Sequence, residues 1–275
     1  MLPVAVCRLS SYNRHVADDE PLIAVFIDYE NLAIGVRDMG KGRSGVDLDV
    51  GLVLNRLLEK GRIVYKRAYC DWSHYRKSTG SLHQHGVIMI DIPQTGVSGK
   101  NSADIHMVVD AMDLCFGKDF ISTFALLSGD SDFSPLVQKL KENNKRVIGC
   151  GVKSSTSGLL VKSCDEFIYY DDLVKRQERK PKRTRRKTAK KTPEDKKTEA
   201  VDQVMEIVRS LADDYENVWG SMVKQTLGRV NPGFNHEYHG YKSFNELLRD
   251  IEKRGLLELW HDESRGNYRV RLQDD

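Results

Sequence analysis

Carboxylates follow apolar segments at two points of this sequence. Asp130 and Asp132 come shortly after the run Phe124 to Leu127, and Asp28 directly follows the run Leu22 to Ile27. Each run has the length of a buried strand. The carboxyl ends of parallel strands share one edge of an open α/β sheet, and ligands bind at that edge. We therefore expect these aspartates to lie together, although an Asp-rich turn is the alternative for Asp130 and Asp132 taken alone.

Asp104 is a further candidate, near the start of a predicted helix. Two unit charges 4 Å apart repel by about 4 kcal/mol at an effective dielectric of about 20, so clustered acids bind protons or a cation. Oxygen ligands without His or Cys favour a hard ion, Mg²⁺ or Mn²⁺. Such an ion can activate water and stabilise a phosphodiester transition state. Asp71, at the end of another predicted strand, is a secondary candidate.

The segments that must position these acids alternate between strand and helix patterns. Strands are predicted over residues 22–27, 63–70, 87–92, 124–127, 146–150 and 166–170. Helices are predicted over residues 46–60, over a polar stretch that ends at residue 84, over residues 102–116 and 135–144, and around residues 159–161. Ser134 is expected to cap the fourth helix, with Pro135 at its first position. The third helix has one predicted apolar face, formed by Ile105, Val108, Val109, Met112 and Phe116. The alternation predicts an α/β domain with a central parallel sheet between two helix layers.

The composition indicates a globular protein with a polar appendage. Of the 275 residues, 40% are hydrophobic and 30% are charged, and the net charge is +3. No apolar run approaches the length of a membrane span, and we expect no membrane partner. Residues 1–21 do not resemble a signal peptide and are expected to be a loose tail. Five scattered cysteines without a C-x-x-C pair disfavour a zinc site or a disulfide framework, and favour a reducing, cytoplasmic setting.

The composition changes near Lys175. Residues 175–197 are dense in Lys and Arg and nearly free of apolar side chains, which predicts a flexible basic linker after a domain at 22–174. The linker is either a solvated spacer or an arm that binds polyphosphate. Residues 198–275 again alternate apolar and polar positions: three predicted helices precede two strands, 256–260 and 268–272. This order is typical of a small winged-helix-like domain that binds nucleic acid or docks on protein.

Three segments, in this order, strongly resemble the NYN domain family, a branch of the PIN-like ribonucleases. They are Phe26-Ile-Asp-Tyr-Glu-Asn31, Lys100-Asn-Ser-Ala-Asp104 and Leu127-Ser-Gly-Asp-Ser-Asp-Phe133. The resemblance spans roughly residues 22 to 172. It implies a Rossmann-like PIN/NYN fold of three layers and metal-dependent endonucleolytic cleavage of RNA that leaves a 5′-phosphate and a 3′-hydroxyl.

The same resemblance implies roles for individual residues. Asp28, Asp104 and Asp130 resemble the metal-binding acids of the family, and Asp132 would assist at a metal or orient water. Two polar groups would complete the catalytic set, Asn31 and Ser128.

The segment Phe234 to Leu248 is similar to OST-HTH, or LOTUS, domains, which are winged-helix-like and associated with RNA binding or protein docking. Within it, Tyr241 and Lys242 are candidate RNA contacts, although Tyr241 could instead pack in the core. Trp72 could stack on a base or pack beside the sheet edge. The remaining candidate RNA contacts are basic: Lys100, Arg183, Arg185 and Arg186.

The function that these features predict best is a metal-dependent endoribonuclease whose linker and C-terminal domain hold RNA. An RNA-binding adaptor with a silent acidic site is the first alternative. A haloacid-dehalogenase-type phosphatase is the second, but that class needs an Asp two residues after the first, where this chain has Glu30. The oligomeric state, with a dimer among the options, and the RNA target stay open.

Overall fold

The structure, a computed structural model, describes residues 20–39, 47–93, 101–178 and 192–273. In the first part of the chain the strands are β1 (Leu22–Asp28), β2 (Arg62–Cys70), β3 (Ile88–Asp91), β4 (Thr123–Leu127), β5 (Arg146–Gly151) and β6 (Glu166–Tyr169). The helices are α1 (Tyr29–Met39), α2 (Val50–Lys60), α3 (Thr79–Gln84), α4 (Ser102–Gly117), α5 (Ser134–Glu142), α6 (Gly158–Ser163) and α7 (Tyr170–Glu178). A single 3-10 turn, Ser131–Phe133, leads into α5.

The six strands form one parallel sheet in the order β3-β2-β1-β4-β5-β6. Five of the seven residues of β1 are apolar and fully buried, as expected of a central strand covered on both faces. Val25 and Ile27 pack against α1 and α2 on one face, while Ala24 and Phe26 pack against α4 and α5 on the other. The predicted fold class, a Rossmann-like α/β domain with a central parallel sheet, is therefore confirmed.

The apolar face predicted for α4 is largely the exposed one. Ile105, Val109 and Phe116 are each at least 60% exposed. The helix instead packs on the sheet through Met107, Ala111 and Cys115, which are smaller or more flexible and allow close approach to the strands. Periodicity identified the helix correctly but did not identify the side that is buried.

The start of α5 differs from the prediction. Ser134 is the first residue of the helix and not its cap, because the turn Ser131–Phe133 already occupies the preceding positions. The Asp130 side chain caps that turn by accepting from the Asp132 amide at 3.0 Å. The hydroxyl of Ser134 is buried and has no hydrogen-bond partner among the described residues. Pro135 is the second residue of the helix, one position later than predicted.

A second packed unit follows. It contains α8 (Pro193–Asp214), β7 (Val218–Trp219), α9 (Gly220–Val230), α10 (Phe244–Lys253), β8 (Leu257–Asp262) and β9 (Asn267–Leu272). The three strands form an antiparallel sheet in the order β7-β9-β8, and the helices enclose a core of their own. The three helices and the final two strands follow the predicted order, whereas the short strand β7 was not predicted. Helices α7 and α8 extend into the ends of the predicted linker, of which residues 179–191 lie outside the described ranges.

The two units meet at the amino-terminal ends of the parallel strands. The Arg229 guanidinium donates to the carbonyl oxygens of Leu58 and Glu59 at 2.8 and 3.1 Å, and pairs with Glu20 at 2.8 Å. On the same side, Arg56 reaches Asp214 at 2.6 Å. These contacts fix the second unit at the edge opposite to the one where the predicted acids lie.

None of the helices within the described ranges combines the length and the hydropathy of a membrane span.

Candidate acidic site at the carboxyl edge of the sheet

Asp28 is the buried centre of the site. It is the last residue of β1 and is only 8% exposed. Its Oδ2 accepts a hydrogen bond from the Ser128 hydroxyl at 2.9 Å, and its Oδ1 accepts one from the backbone amide of Asn31 at 3.2 Å. Ser128 is fully buried and follows β4, the neighbour of β1, so adjacent strands bring the two residues together. Residues 100 positions apart in the chain are thus bonded directly.

The loop after β4 is held in place by the same residues. The Asn31 side-chain oxygen accepts from the Gly129 amide at 2.9 Å, and the Ser128 hydroxyl accepts from the Asp130 amide at 3.1 Å. Behind the loop, the Gly129 carbonyl accepts from the Ser157 amide at 2.8 Å. Asn31 and Ser128 therefore position the backbone that carries Asp130.

Repulsion and burial act together on the acids. Burial raises the pKa of Asp28 to about 7; the Ser128 hydrogen bond opposes this rise, and the charges of Asp104 and Asp130 add to it. Burial also raises the pKa of Asp104 to about 6, with further repulsion from Asp130 and Asp132. Asp104 thus lies within electrostatic range of Asp28, Asp130 and Asp132 at one edge of the sheet.

Glu30 is a site residue that the sequence analysis did not select. Its charge contributes to the raised pKa of Asp104, so this carboxylate lies at the same edge. It occupies the first turn of α1, directly after Asp28 and Tyr29. Its place in the segment Phe26 to Asn31, two residues after Asp28, is the sequence signal that points to it.

The residues present fit a hard divalent cation. All the donors are carboxylate, hydroxyl or amide oxygens, and no ion pair with Lys or Arg is seen for Asp28 or Asp104 within the described ranges. In that same part of the chain, no group of three or more His, Cys, Asp and Glu side chains is already arranged as a set of metal ligands. A cation would relieve the repulsion, and binding would require side chains to turn towards it.

Other predicted residues lie elsewhere or have other partners. Asp71 accepts from the Ser73 backbone amide and hydroxyl in the turn after β2. Trp72 is 8% exposed, packs against Tyr29 and donates its indole N–H to the Ile90 carbonyl. Trp72 is therefore a packing residue and not an open stacking surface, which corrects the interpretation that it stacks on a base.

The two candidates of the second unit differ from each other. Tyr241 is 4% exposed and donates its hydroxyl to Asp250 at 2.7 Å, so it packs and does not offer a free face to RNA. Lys242 is exposed and remains a candidate contact. The other basic candidates lie outside the described residues: Lys100, Arg183, Arg185 and Arg186.

A model of the NYN domain matches residues 22–171. Uncharacterized protein MJ0482 of Methanocaldococcus jannaschii is 29% identical over 149 residues, which cover 54% of this chain and 55% of that protein. The chain thus spans about half the length of this curated relative.

One solved structure is also similar over this part of the chain. It is the crystal structure of VPA0982, a protein of unknown function from Vibrio parahaemolyticus. It aligns with a TM-score of 0.48 and 24% identity over 57% of this chain and 97% of its own, a likeness too low to carry an argument.

Proposed function

Because the chain belongs to the NYN family over residues 22–171, we propose that it is a divalent-metal-dependent endoribonuclease, a hydrolase of RNA phosphodiester bonds. NYN domains are typically nucleases of the PIN-like class. The observation that supports catalysis in this chain is the convergence of Asp28, Asp104 and Asp130 on one edge of the sheet.

In this proposal Asp28, Asp104 and Asp130 would hold Mg²⁺ or Mn²⁺. When bound, such an ion lowers the pKa of a water molecule and stabilises negative charge on phosphoryl oxygens. Asp132, which is exposed at the rim, would orient water or complete the ion's ligands. Asn31 and Ser128 position the loop and the Asp28 carboxylate through the hydrogen bonds described above.

The remaining parts of the chain would hold RNA. The basic segment around Arg183 and the exposed Lys242 are the proposed contacts, and the similarity of the second unit to OST-HTH domains stays a prediction. A protein partner on that unit is the other expectation for it. The free thiols of the described cysteines fit the proposed reducing, cytoplasmic setting: Cys70, Cys115, Cys150 and Cys164.

The test is incubation of single-stranded RNA with Mg²⁺ or Mn²⁺, comparing the wild type with Asp130→Asn. We expect the substitution to reduce cleavage at least about a hundredfold, in line with the loss of one electrostatic group at a catalytic centre. Asp113→Asn is the matched control, since Asp113 is exposed on α4. Equal cleavage by wild type and Asp130→Asn would show a contaminating nuclease or a misplaced site.

The second candidate function is an RNA-binding adaptor. It is favoured by the finding that no set of acids in the described residues is already arranged around a metal position. It predicts that the wild type retains RNA and leaves it intact with every divalent ion tested.

A further inference from the structure

A cavity of about 570 Å³ lies beside the acidic edge, between the first turn of α5 and the start of α6. Its lining residues are Ser131, Asp132, Ser134, Pro135, Gln138 and Leu159. The volume is within the usual range of sites for small organic groups. The cavity adjoins the acids directly, because the Asp132 amide donates to the Asp130 carboxylate at 3.0 Å. A group bound here would lie one residue away from the proposed catalytic loop.

The chemistry of the lining excludes phosphate as the preferred occupant. Among the described residues, no Lys or Arg lines the cavity, and the single charged side chain that does so is a carboxylate. Leu159 is 60% exposed and Pro135 is also exposed, so together they present apolar surface to the cavity. The exposed Gln138 amide offers both a donor and an acceptor. A lining that combines apolar surface with mixed polar groups matches a nucleobase, which has apolar faces and hydrogen-bonding edges.

Ser134 gives an independent indication that a polar group enters the cavity. The residue is 4% exposed and borders the cavity, yet its hydroxyl has no partner among the described residues. A buried hydroxyl without a partner is unfavourable and uncommon in native proteins. The edge of a base, or a water molecule that it brings in, would supply the missing partner.

We propose that this cavity is a nucleobase subsite, which holds the base of a nucleotide next to the bond that is cut. Gln138 reads the edge of that base, and Leu159 with Pro135 supports its face. The position of the base relative to a cut rests on the proposed ribonuclease function, whereas base binding itself does not.

The first experiment sequences the cut positions in a random single-stranded RNA pool. We expect wild type to prefer one base at a fixed position beside the cut, and Gln138→Ala to reduce that preference about tenfold, the contribution of one good pair of hydrogen bonds to a base. Gln84→Ala, an exposed glutamine on α3, is the matched control. If Gln138→Ala cuts RNA as well as wild type and keeps the same base preference beside the cut, the assignment of this cavity as a base subsite is overturned.

The second experiment does not need activity. The Leu159 methyl resonances are followed during titration with each of the four nucleosides and with ribose 5-phosphate, in the absence of metal. Shifts with at least one nucleoside and none with ribose 5-phosphate support a base subsite. No shift with any nucleoside, or equal shifts with ribose 5-phosphate, contradict it. If the wild type cuts no RNA, the proposed function fails while this titration still decides the subsite.

Discussion

Asp28 has its carboxyl group at a position that water hardly reaches. Its charge is stabilised by one hydroxyl and one amide, while Asp104 and Asp130 oppose it from nearby. A protein that served only stability would be better with a neutral residue here, because burying an uncompensated charge is unfavourable. The retained carboxylate is therefore best explained by a ligand that needs its charge.

This imbalance predicts how stability depends on pH at residue 28. The pKa of the Asp28 carboxyl is about 7 in the folded protein and near 3.8 when unfolded. Between these values only the unfolded state ionises, so stability contributed by this group is lost as pH rises, and the loss is complete above about pH 7. In metal-free solution, the free energy of unfolding of Asp28→Asn, relative to that of wild type, should increase by about 3 kcal/mol as the pH rises from 5 to 8.

Chemical denaturation at both pH values measures this difference. Asp113→Asn serves as the control, and its free energy of unfolding should change with pH in parallel with that of wild type. If the curve of Asp28→Asn is also parallel to that of wild type, Asp28 is not the buried acid that the structure describes.

Ser128 supports a separate prediction for activity. Its hydroxyl lowers the pKa of Asp28 by donating to the carboxylate. Without it, Asp28 should hold its proton to higher pH, and the acid limb of the pH–rate profile of RNA cleavage should move up by about one unit, since a hydrogen bond to a charged group contributes about 1.5 kcal/mol. Ser73→Ala, at an exposed serine in the turn after β2, should leave the limb in place. An unmoved limb in Ser128→Ala would separate this hydroxyl from catalysis.

At the scale of elements, the loop after β4 is held against the loop before α6 with no spare room. A Cβ atom on Gly129 would lie 2.8 Å from the Ser155 carbonyl oxygen and 3.0 Å from the Thr156 Cα. Both obstacles are backbone atoms and cannot rotate away. The close approach lets the Gly129 carbonyl accept from Ser157, and so links α6 to the acidic edge.

Gly129→Ala should therefore destabilise the protein by about 2 kcal/mol through overpacking. Gly158→Ala should change stability little or raise it by about 0.5 kcal/mol, because a Cβ there meets nothing within 4 Å and alanine favours the helix. Thermal unfolding of the two variants gives the comparison. Similar effects of the two substitutions would mean that the loops are not packed as described.

The elements also show what sequence could and could not predict. Buried strands such as Leu22 to Ile27 and Phe124 to Leu127 were identified because continuous apolar runs have few other structures available. Helices α1 and α7 were missed, since each begins at the residue directly after a strand with no turn between them; the residue that caps α1, Asp28, is also the last residue of its strand.

The same limit applies to the candidate site. That Asp28, Asp130 and Asp132 would lie at one edge could be predicted, because they follow strands of a parallel sheet. The hydrogen bonds that hold them could not, because the bond between Ser128 and Asp28 depends on which strands are neighbours. The exposed side of α4 was also beyond the pattern, since this helix carries apolar residues all round.

At the scale of the whole molecule, Arg229 joins the two packed units. Its guanidinium is largely buried and bonds to two backbone carbonyls of the first unit as well as to Glu20. Arg229→Ala should weaken this interface by about 3 kcal/mol, because it leaves carbonyl groups and a carboxylate without their partner. The units would then unfold separately, and calorimetry should resolve two transitions in place of a single cooperative one.

Arg249→Ala is the matched control for this prediction. Arg249 is exposed on the same unit and, among the described residues, bonds within it to the Tyr268 hydroxyl. It should leave the cooperativity unchanged. Identical calorimetric profiles for both variants would mean that Arg229 does not couple the units.

Attachment of the second unit beneath the strands has a consequence for any polymer that touches both ends. Eight residue steps lead from Glu20, at the Arg229 contact, to Asp28 at the end of β1, and at about 3.3 Å per residue this is a gap of up to about 26 Å. An RNA that was bound by the second unit and cut at the acidic edge would have to run along the flank of the sheet. The scissile bond would then fall at a constant number of nucleotides from the gripped segment, so the molecule would measure length as well as cut.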